Sequence, residues 1–445
     1  MVGRVRAPSS GWRWGARLLA MVMVATAAGC TPRLPTLPAA FGPTPGASPT
    51  APALALPRPT PAPPPPSVPR AYFYKTARPT PTRCCSPPPS VPRAYFYKPP
   101  DDHSAADVAG QARFVILTKK DEGFRDELRA AGYTGLVLQY VLASGTEGPP
   151  EARNATAPCD PEYVPFHNQV AYQPGDFCAY LHPNEDWFLH NGAGERLYTA
   201  QGGRWIYAMN PASAGWRAFF LSRAQRFLAG DATAPALGYD GLFLDNVELA
   251  LVRQAGQSAN SDGIVREFAD DDAYRAAWRG LLAELSAELR PRWPIWANLV
   301  AGTGSETDWG DYLPFLDGVM HESFATGWPR AAPPTPAQWE ADLRQTETVL
   351  AQGKGVIAVA EGADDRLQPF ALASFLLLGG GGPRYFRYAR GADYDHWHIF
   401  ANEQVALGLP RGPRYRLADG SWRRDFERGY VVADPAARAG RIVAR

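Results

Sequence analysis

The feature that most constrains this chain is an alternation. Between Ala94 and Tyr388, short apolar runs take turns with segments whose apolar residues recur at helical spacing. The clearest run is Gly241 to Asp245. Leu242, Phe243 and Leu244 are apolar without a polar face, and the run breaks into Asp245, Asn246 and Glu248. A strand with no polar face belongs in a parallel sheet covered on both sides. A carboxylate at the carboxyl end of such a strand stands where (β/α)8 barrels build their polar sites. A lone Asp there more often caps the next helix, so its meaning depends on the other strands.

Eight such runs occur: residues 94–98, 114–117, 136–140, 241–245, 295–298, 317–322, 356–361 and 384–388. Helical patterns separate most of them. One starts at Asp121 as N-cap, carries Phe124, Leu128 and Ala131 on one face and stops at Gly132. Pro211 opens a second with Trp216, Phe219, Phe220, Ala224, Phe227 and Leu228 inward. A third carries Tyr274, Trp278, Leu281, Leu282, Leu285 and Leu289. Thr335 to Gln338 is a capping box with Pro336 at N1, ahead of Trp339, Leu343, Thr346 and Leu350. The expected fold is α/β, a (β/α)8 TIM barrel over residues 93–402. A long excursion, 144–204, follows strand three and returns through 205–209, which we assign to the insertion and not to the barrel. A small antiparallel β appendage is expected within 403–445.

Ahead of the barrel, Arg4, Arg6, Arg13 and Arg17 precede an apolar stretch, 18–28, that is too short to span a bilayer as a stable helix. It runs into Ala27-Ala28-Gly29-Cys30, which has the form of a bacterial lipobox. Residues 1–29 are expected to be a signal peptide, Cys30 the lipidated residue, and the membrane a partner through that anchor. Residues 30–92 form a proline-rich spacer, in which 64–75 recurs unchanged as 87–98. The expected location is extracytoplasmic, at the cell surface or in the periplasm. Cys159 and Cys178 have a spacing that would allow a bridge across one loop in such a compartment; Cys84 and Cys85 carry no assignment. With a net charge of +1 and scattered basic residues, no nucleic-acid surface is indicated. A monomer is expected.

The last residues of the runs are Tyr97 or Lys98, Thr118, Gln139 and Tyr140, Asp245 and Asn246, Asn298, His321 and Glu322, Glu361, then Arg387 and Tyr388. Polar groups recurring at one end of apolar strands converge on one mouth. Two carboxylates across such a mouth suit glycoside hydrolysis. Asp245 is the candidate nucleophile or base. Glu322, beside His321, Phe324 and Trp328, is the candidate general acid with a raised pKa. Glu248 and Glu361 are the substitutes. Expected substrate contacts are Tyr97, Lys98, Gln139, Tyr140, Asn246, Glu248, Asn298, His321, Glu361 and Tyr388, joined by Trp187 and Asn210 from the excursion. Trp205, Trp296, Trp309, Trp328 and Trp397 also lie near strand ends or loops, where a ring can stack on a sugar.

No metal and no cofactor are called for. His167, His182 and His190 share a loop without a ligand spacing, and no HExxH occurs. Gly379 to Gly382 lacks the Lys-Ser/Thr of a P-loop, and no GxSxG elbow is present.

Several segments carry a resemblance: KPP from Lys98, FVILTKKDEGFRDELRAAGY, LVLQY, DWFLH, MNP with GWR, GYDGLFLDN, IWAN and RRDFERGYVV. Over Arg93 to Val443 the chain resembles the bacterial glycoside-hydrolase-like barrels of the hypothetical glycosyl hydrolase family 15. More distantly it is similar to endo-α-1,4-polygalactosaminidase-like barrels. The resemblance implies a TIM barrel that hydrolyses a polysaccharide or oligosaccharide, with Asp245, after GLFL, as its most securely matched acid; the HES around Glu322 is a weaker motif. A non-catalytic carbohydrate-binding lipoprotein on a degenerate barrel is the competing reading, and a deacetylase or lyase the third.

Overall fold

The structure, a computed structural model, describes residues 91–445 apart from 167, 202, 301–308, 329–331 and 392. The expected leader and nearly all of the expected spacer, with Cys30, Cys84 and Cys85, lie outside the described residues, as does His167.

The barrel strands are β1 (Arg93–Tyr97), β2 (Ala112–Leu117) and β3 (Leu136–Leu142). After β3 the insertion adds β4 (Gly145–Gly148), β5 (Tyr198–Gln201) and β6 (Arg204–Ala208). The barrel resumes with β7 (Gly241–Glu248), β8 (Ile295–Val300), β9 (Gly318–His321), β10 (Gly355–Gly362) and β11 (Arg384–Arg390). These eight close in the order β1-β11-β10-β9-β8-β7-β3-β2, and every pairing is parallel. The eight expected runs are the eight barrel strands, and the segment around Trp205 belongs to the insertion.

Among the described residues seven α-helices accompany them: α1 (Ala105–Gln111), α2 (Glu122–Ala130), α3 (Ala214–Ala229), α4 (Leu251–Gln257), α5 (Asp271–Leu289), α6 (Pro336–Ala351) and α7 (Gln368–Leu377). The alternation of strand side chains divides the core in two. Phe96, Ile116, Leu138, Phe243, Trp296, Met320, Ile357 and Val359 fill the barrel interior. Leu117, Val137, Leu242, Leu244, Ala297, Val319 and Ala358 face the helices. Trp296 occupies the interior because two neighbours are glycine. A Cβ on Gly318 or Gly355 would lie 2.4 or 2.0 Å from its indole. This tryptophan is therefore core, not a sugar platform.

Asp121 is the N-cap residue of α2 as expected, but its carboxylate makes no cap bond and accepts instead from the Thr118 amide and hydroxyl, closing the β2–α2 loop. Two other local expectations needed correction. Ser213, not Pro211, begins α3, its hydroxyl accepting from the Trp216 amide at 3.3 Å. Ala131 is exposed beyond the end of α2, whereas Gly132 does terminate it at φ +87°. The Thr335–Gln338 capping box is present as expected.

The insertion is an antiparallel sheet in the order β4-β6-β5 with loops joined by a Cys159–Cys178 disulfide. His190 bridges Glu185 at 2.9 Å and Glu267 at 2.6 Å, tying the insertion to the segment before α5. The C-terminal appendage is a four-stranded antiparallel sheet, β12 (Tyr415–Arg416), β13 (Trp422–Phe426), β14 (Gly429–Asp434) and β15 (Ala439–Ala444). Strands β14 and β15 lie against α7, which is why α7 is apolar all round and buried at every position except Pro369. At the amino end of the barrel, Arg93 Nε meets Glu403 Oε2 at 2.7 Å, both side chains buried.

Candidate active site

Strand alternation carries Asp245 inward after Phe243, with Leu242 and Leu244 outward. The strand does not end there. It runs to Glu248 through a register shift against β8 between Leu244 and Val247, with Asn246 at φ +55°. That irregularity turns Asn246 and Glu248 away from Asp245. Arg253 of α4 donates to Asn246 Oδ1 at 2.9 Å and lies 3.3 Å from Glu248 Oε1, while Tyr274 of α5 donates to Glu248 Oε2 at 2.7 Å. Glu248 is thus a buried ion pair in the helix layer, with burial raising its pKa.

Around Asp245 the inward side chains of neighbouring strands form one connected set. Tyr140 of β3 donates to Asp245 Oδ2, and Asn298 Nδ2 of β8 donates to Asp245 Oδ1 at 2.9 Å. The same nitrogen donates to Glu322 Oε2 at 2.7 Å. Tyr394, in the segment after β11, donates to Glu361 Oε1 of β10 and lies 3.2 Å from Glu322 Oε1. Tyr97 of β1 packs edge-on against the rings of Tyr140 and Tyr394, at 4.9 and 5.4 Å. Asp245, Glu322 and Glu361 are all buried.

Electrostatics separates these acids. Burial is the largest cause raising Glu322, followed by the charges of Glu361 and Asp245; together they lift it to about 8, against the weaker lowering effects of Asn298 and Arg253. Burial also raises Glu361, opposed by Tyr394 and the Arg387 guanidinium. Among the described residues no ion pair reaches Asp245, Glu322 or Glu361. Burial first, and then the nearby carboxylates, keep the Tyr97, Tyr140 and Tyr394 hydroxyls protonated as donors.

Other expected contacts stand elsewhere. Gln139 pairs in register with Leu117 and Leu242, both outward, and is buried in the helix layer with neither amide atom hydrogen-bonded. His321 pairs with outward Ala358 and contacts Thr346 of α6 at 3.0 Å, between the rings of Trp309 and Phe324; burial lowers it to about 4. Tyr388 also faces outward, donating to the Asp364 carbonyl. Trp187 packs on Trp216 and Phe219, and Asn210 braces a turn through Asp186 and Ala212. Lys98 is at the rim, 3.1 Å from Asp395.

The inward residue of β11 is Arg387, not Tyr388. Its guanidinium donates to the Phe96, Tyr394 and His396 carbonyls and lies over the Phe96 ring at 4.4 Å. It anchors the segment that presents Tyr394. Tyr394 was not anticipated, because it lies outside any strand and no motif surrounds it; only the alternation from Tyr385 to Arg387 pointed to its anchor.

An eight-stranded parallel barrel with carboxylates on three adjacent or near strands at its carboxyl mouth defines a (β/α)8 protein with a polar site in the customary place. The profile described as hypothetical glycosyl hydrolase family 15 matches residues 161–430, more than half of the chain, and the protein belongs to that family. The match begins beyond β3, so it is shorter than the resemblance from Arg93 to Val443 suggested. No curated protein matches. Solved structures similar to this chain include the glycoside hydrolase domain of PelA from Pseudomonas aeruginosa, at 18% identity and TM-score 0.43, covering 69% of this chain and 97% of that one. Another is Aspergillus fumigatus Ega3 complexed with galactosamine, at 12% identity and TM-score 0.37, covering 71% and 97%. A third is TtGalA, an α-galactosidase from Thermus thermophilus, at 14% identity and TM-score 0.37, covering 79% and 67%.

Proposed function

We propose that this protein is an exported, lipid-anchored glycoside hydrolase that cleaves an extracellular or cell-envelope polysaccharide with retention of configuration. One observation carries the reading. A single nitrogen, Asn298 Nδ2, lies 2.9 Å from an oxygen of Asp245 and 2.7 Å from one of Glu322, so those two oxygens are at most about 5.6 Å apart. Carboxyl groups about 5–5.5 Å apart suit a double displacement, whereas an inverting pair stands about 6.5–9.5 Å apart to admit a water.

Asp245, holding two donated hydrogen bonds, attacks the anomeric carbon as a carboxylate. Glu322, whose pKa stands at about 8, gives its proton to the departing glycosidic oxygen. Glu322 then takes a proton from the water that releases the glycosyl group from Asp245, restoring both groups. Asn298 holds the pair in register throughout. The basic leader, the apolar stretch and Cys30 support export and anchoring; loss of acyl labelling in Cys30→Ala is the expected outcome, and undiminished labelling would remove the anchor.

The test is a panel of neutral and amino-sugar polysaccharides presented to the domain from residue 93 onward. Reducing ends are counted, and the first-formed product is followed by NMR. The reading predicts a product that appears in the anomeric form of the cleaved linkage and equilibrates afterwards. An inverted first product would remove Asp245 as nucleophile. Glycan binding without product from any polymer would favour the non-catalytic alternative.

A further inference from the structure

The proposed mechanism uses two of the three clustered acids and leaves Glu361 and Tyr394 without a role. Hydrogen counting gives them one. A phenol has a single hydrogen and accepts through its lone pairs. The Tyr394 hydroxyl nevertheless contacts Glu361 Oε1 and, at 3.2 Å, Glu322 Oε1. With both carboxyls ionised, one of those contacts would set two lone pairs against each other. With one proton on the pair, both contacts become hydrogen bonds. If Glu322 holds the proton, Glu322 donates to Tyr394 and Tyr394 to Glu361; if Glu361 holds it, both bonds reverse.

The other Glu322 oxygen is already occupied by Asn298, which fixes Oε1 as the seat of the proton. The groups facing Glu322 are Asp245 of β7, Asn298 of β8, Glu361 of β10 and Tyr394, with Tyr97 nearby and Arg253 of α4 behind. Glu361 faces Tyr394, Glu322 and the charge of Arg387.

We propose that Glu322 and Glu361 are one acid that shares a single proton through the Tyr394 hydroxyl. This rests on the reading of Glu322 as the general acid. In the exchange, the Glu361 Oε1–H bond breaks as that hydrogen joins Tyr394 Oη, and the hydrogen of Tyr394 passes to Glu322 Oε1. No net charge is made. The pair holds one proton before the first step and none after the leaving oxygen has taken it. It regains one from the attacking water. Both carboxylates are ionised only while the glycosyl group is on Asp245, when Glu322 must act as a base. Arg387 is a positioning residue, because it holds the backbone of Tyr394.

The test needs no sugar. The protein is labelled with carbon-13 at the glutamate side-chain carboxyl, the Glu322 and Glu361 resonances are assigned from their absence in E322Q and E361Q, and both are followed against pH. In the wild type the two resonances should move together. In E361Q the charge is removed while an oxygen remains to accept from Tyr394, so Glu322 should lose roughly tenfold in proton affinity. In Y394F, which deletes one oxygen atom, the two resonances should titrate in separate steps. Equal Glu322 titration in wild type and E361Q, or joint movement persisting in folded Y394F, would overturn the proposal. The two readings fail separately. Unlinked titrations with hydrolysis lost in E322Q would sink the shared proton alone. Linked titrations with hydrolysis surviving in E322Q would sink the general acid alone.

Discussion

The two ends of this barrel handle buried carboxylates in opposite ways. At the amino end, Glu403 is covered and meets a guanidinium, Arg93, at 2.7 Å, with the Gln368 amide at 3.2 Å. At the carboxyl end, Asp245, Glu322 and Glu361 are also covered, yet their hydrogen-bond partners are an amide and two phenols. A cation beside Glu322 would offset its burial but would also hold it ionised, useless as an acid. On the proposed mechanism the carboxyl end serves proton transfer while the amino end holds a paired charge, the division expected of this fold.

The sharpest way to break that contrast is at the amino end. Arg93→Met leaves Glu403 buried without its cation and should cost about 3–5 kcal/mol, read from urea unfolding. A loss below about 1 kcal/mol would mean the pair has no such role.

At the opposite end removal of charge should do the reverse. In the native chain Glu322 holds its proton up to about 8, whereas an ordinary glutamate ionises near 4.5. Between those values the unfolded chain binds fewer protons than the native one, so stability falls as pH rises through that window. Glu322→Gln avoids that loss. Its stability relative to wild type should climb between pH 4.5 and about 8, by roughly 4–5 kcal/mol. Melting curves across that range that stay parallel would contradict the raised pKa.

Smaller effects should follow at the donors. Tyr140→Phe removes one hydrogen bond to Asp245, and a bond to a charged group is worth about 1.5–3 kcal/mol. It should lower kcat/KM about tenfold to a hundredfold, with the melting temperature nearly kept. Smallest of all is Lys98→Gln at the rim, whose ion pair with Asp395 is open to water. Its cost to stability should stay under about 1 kcal/mol.

The contrast was half legible in the sequence. Unbroken apolar runs ending in Asp245, Asn298 and Glu361 gave both the barrel and its mouth, because period and burial are local properties of a strand. Which of two adjacent residues points inward was harder at strand ends. Gln139 and Tyr140, His321 and Glu322, and Tyr388 are all expected at the site from the sequence, but of these only Tyr140 and Glu322 occupy it, and Arg387 stands there in place of Tyr388. A one-residue change of phase exchanges the two faces. Glu248 misled for another reason, since the irregularity at Asn246 breaks the alternation that would have carried it inward. Tyr394 and the Arg93–Glu403 pair depend on contacts between distant parts of the chain, and no periodicity records those.

The central claim is that Asp245 and Glu322 together cleave a glycosidic bond. It is tested most directly by reducing-end release across the polysaccharide panel for wild type, Asp245→Asn and Glu322→Gln, each shown to be folded. The account predicts release by the wild type from at least one polymer and losses of about a hundredfold or more in both variants. Wild-type rates from either folded variant would contradict it.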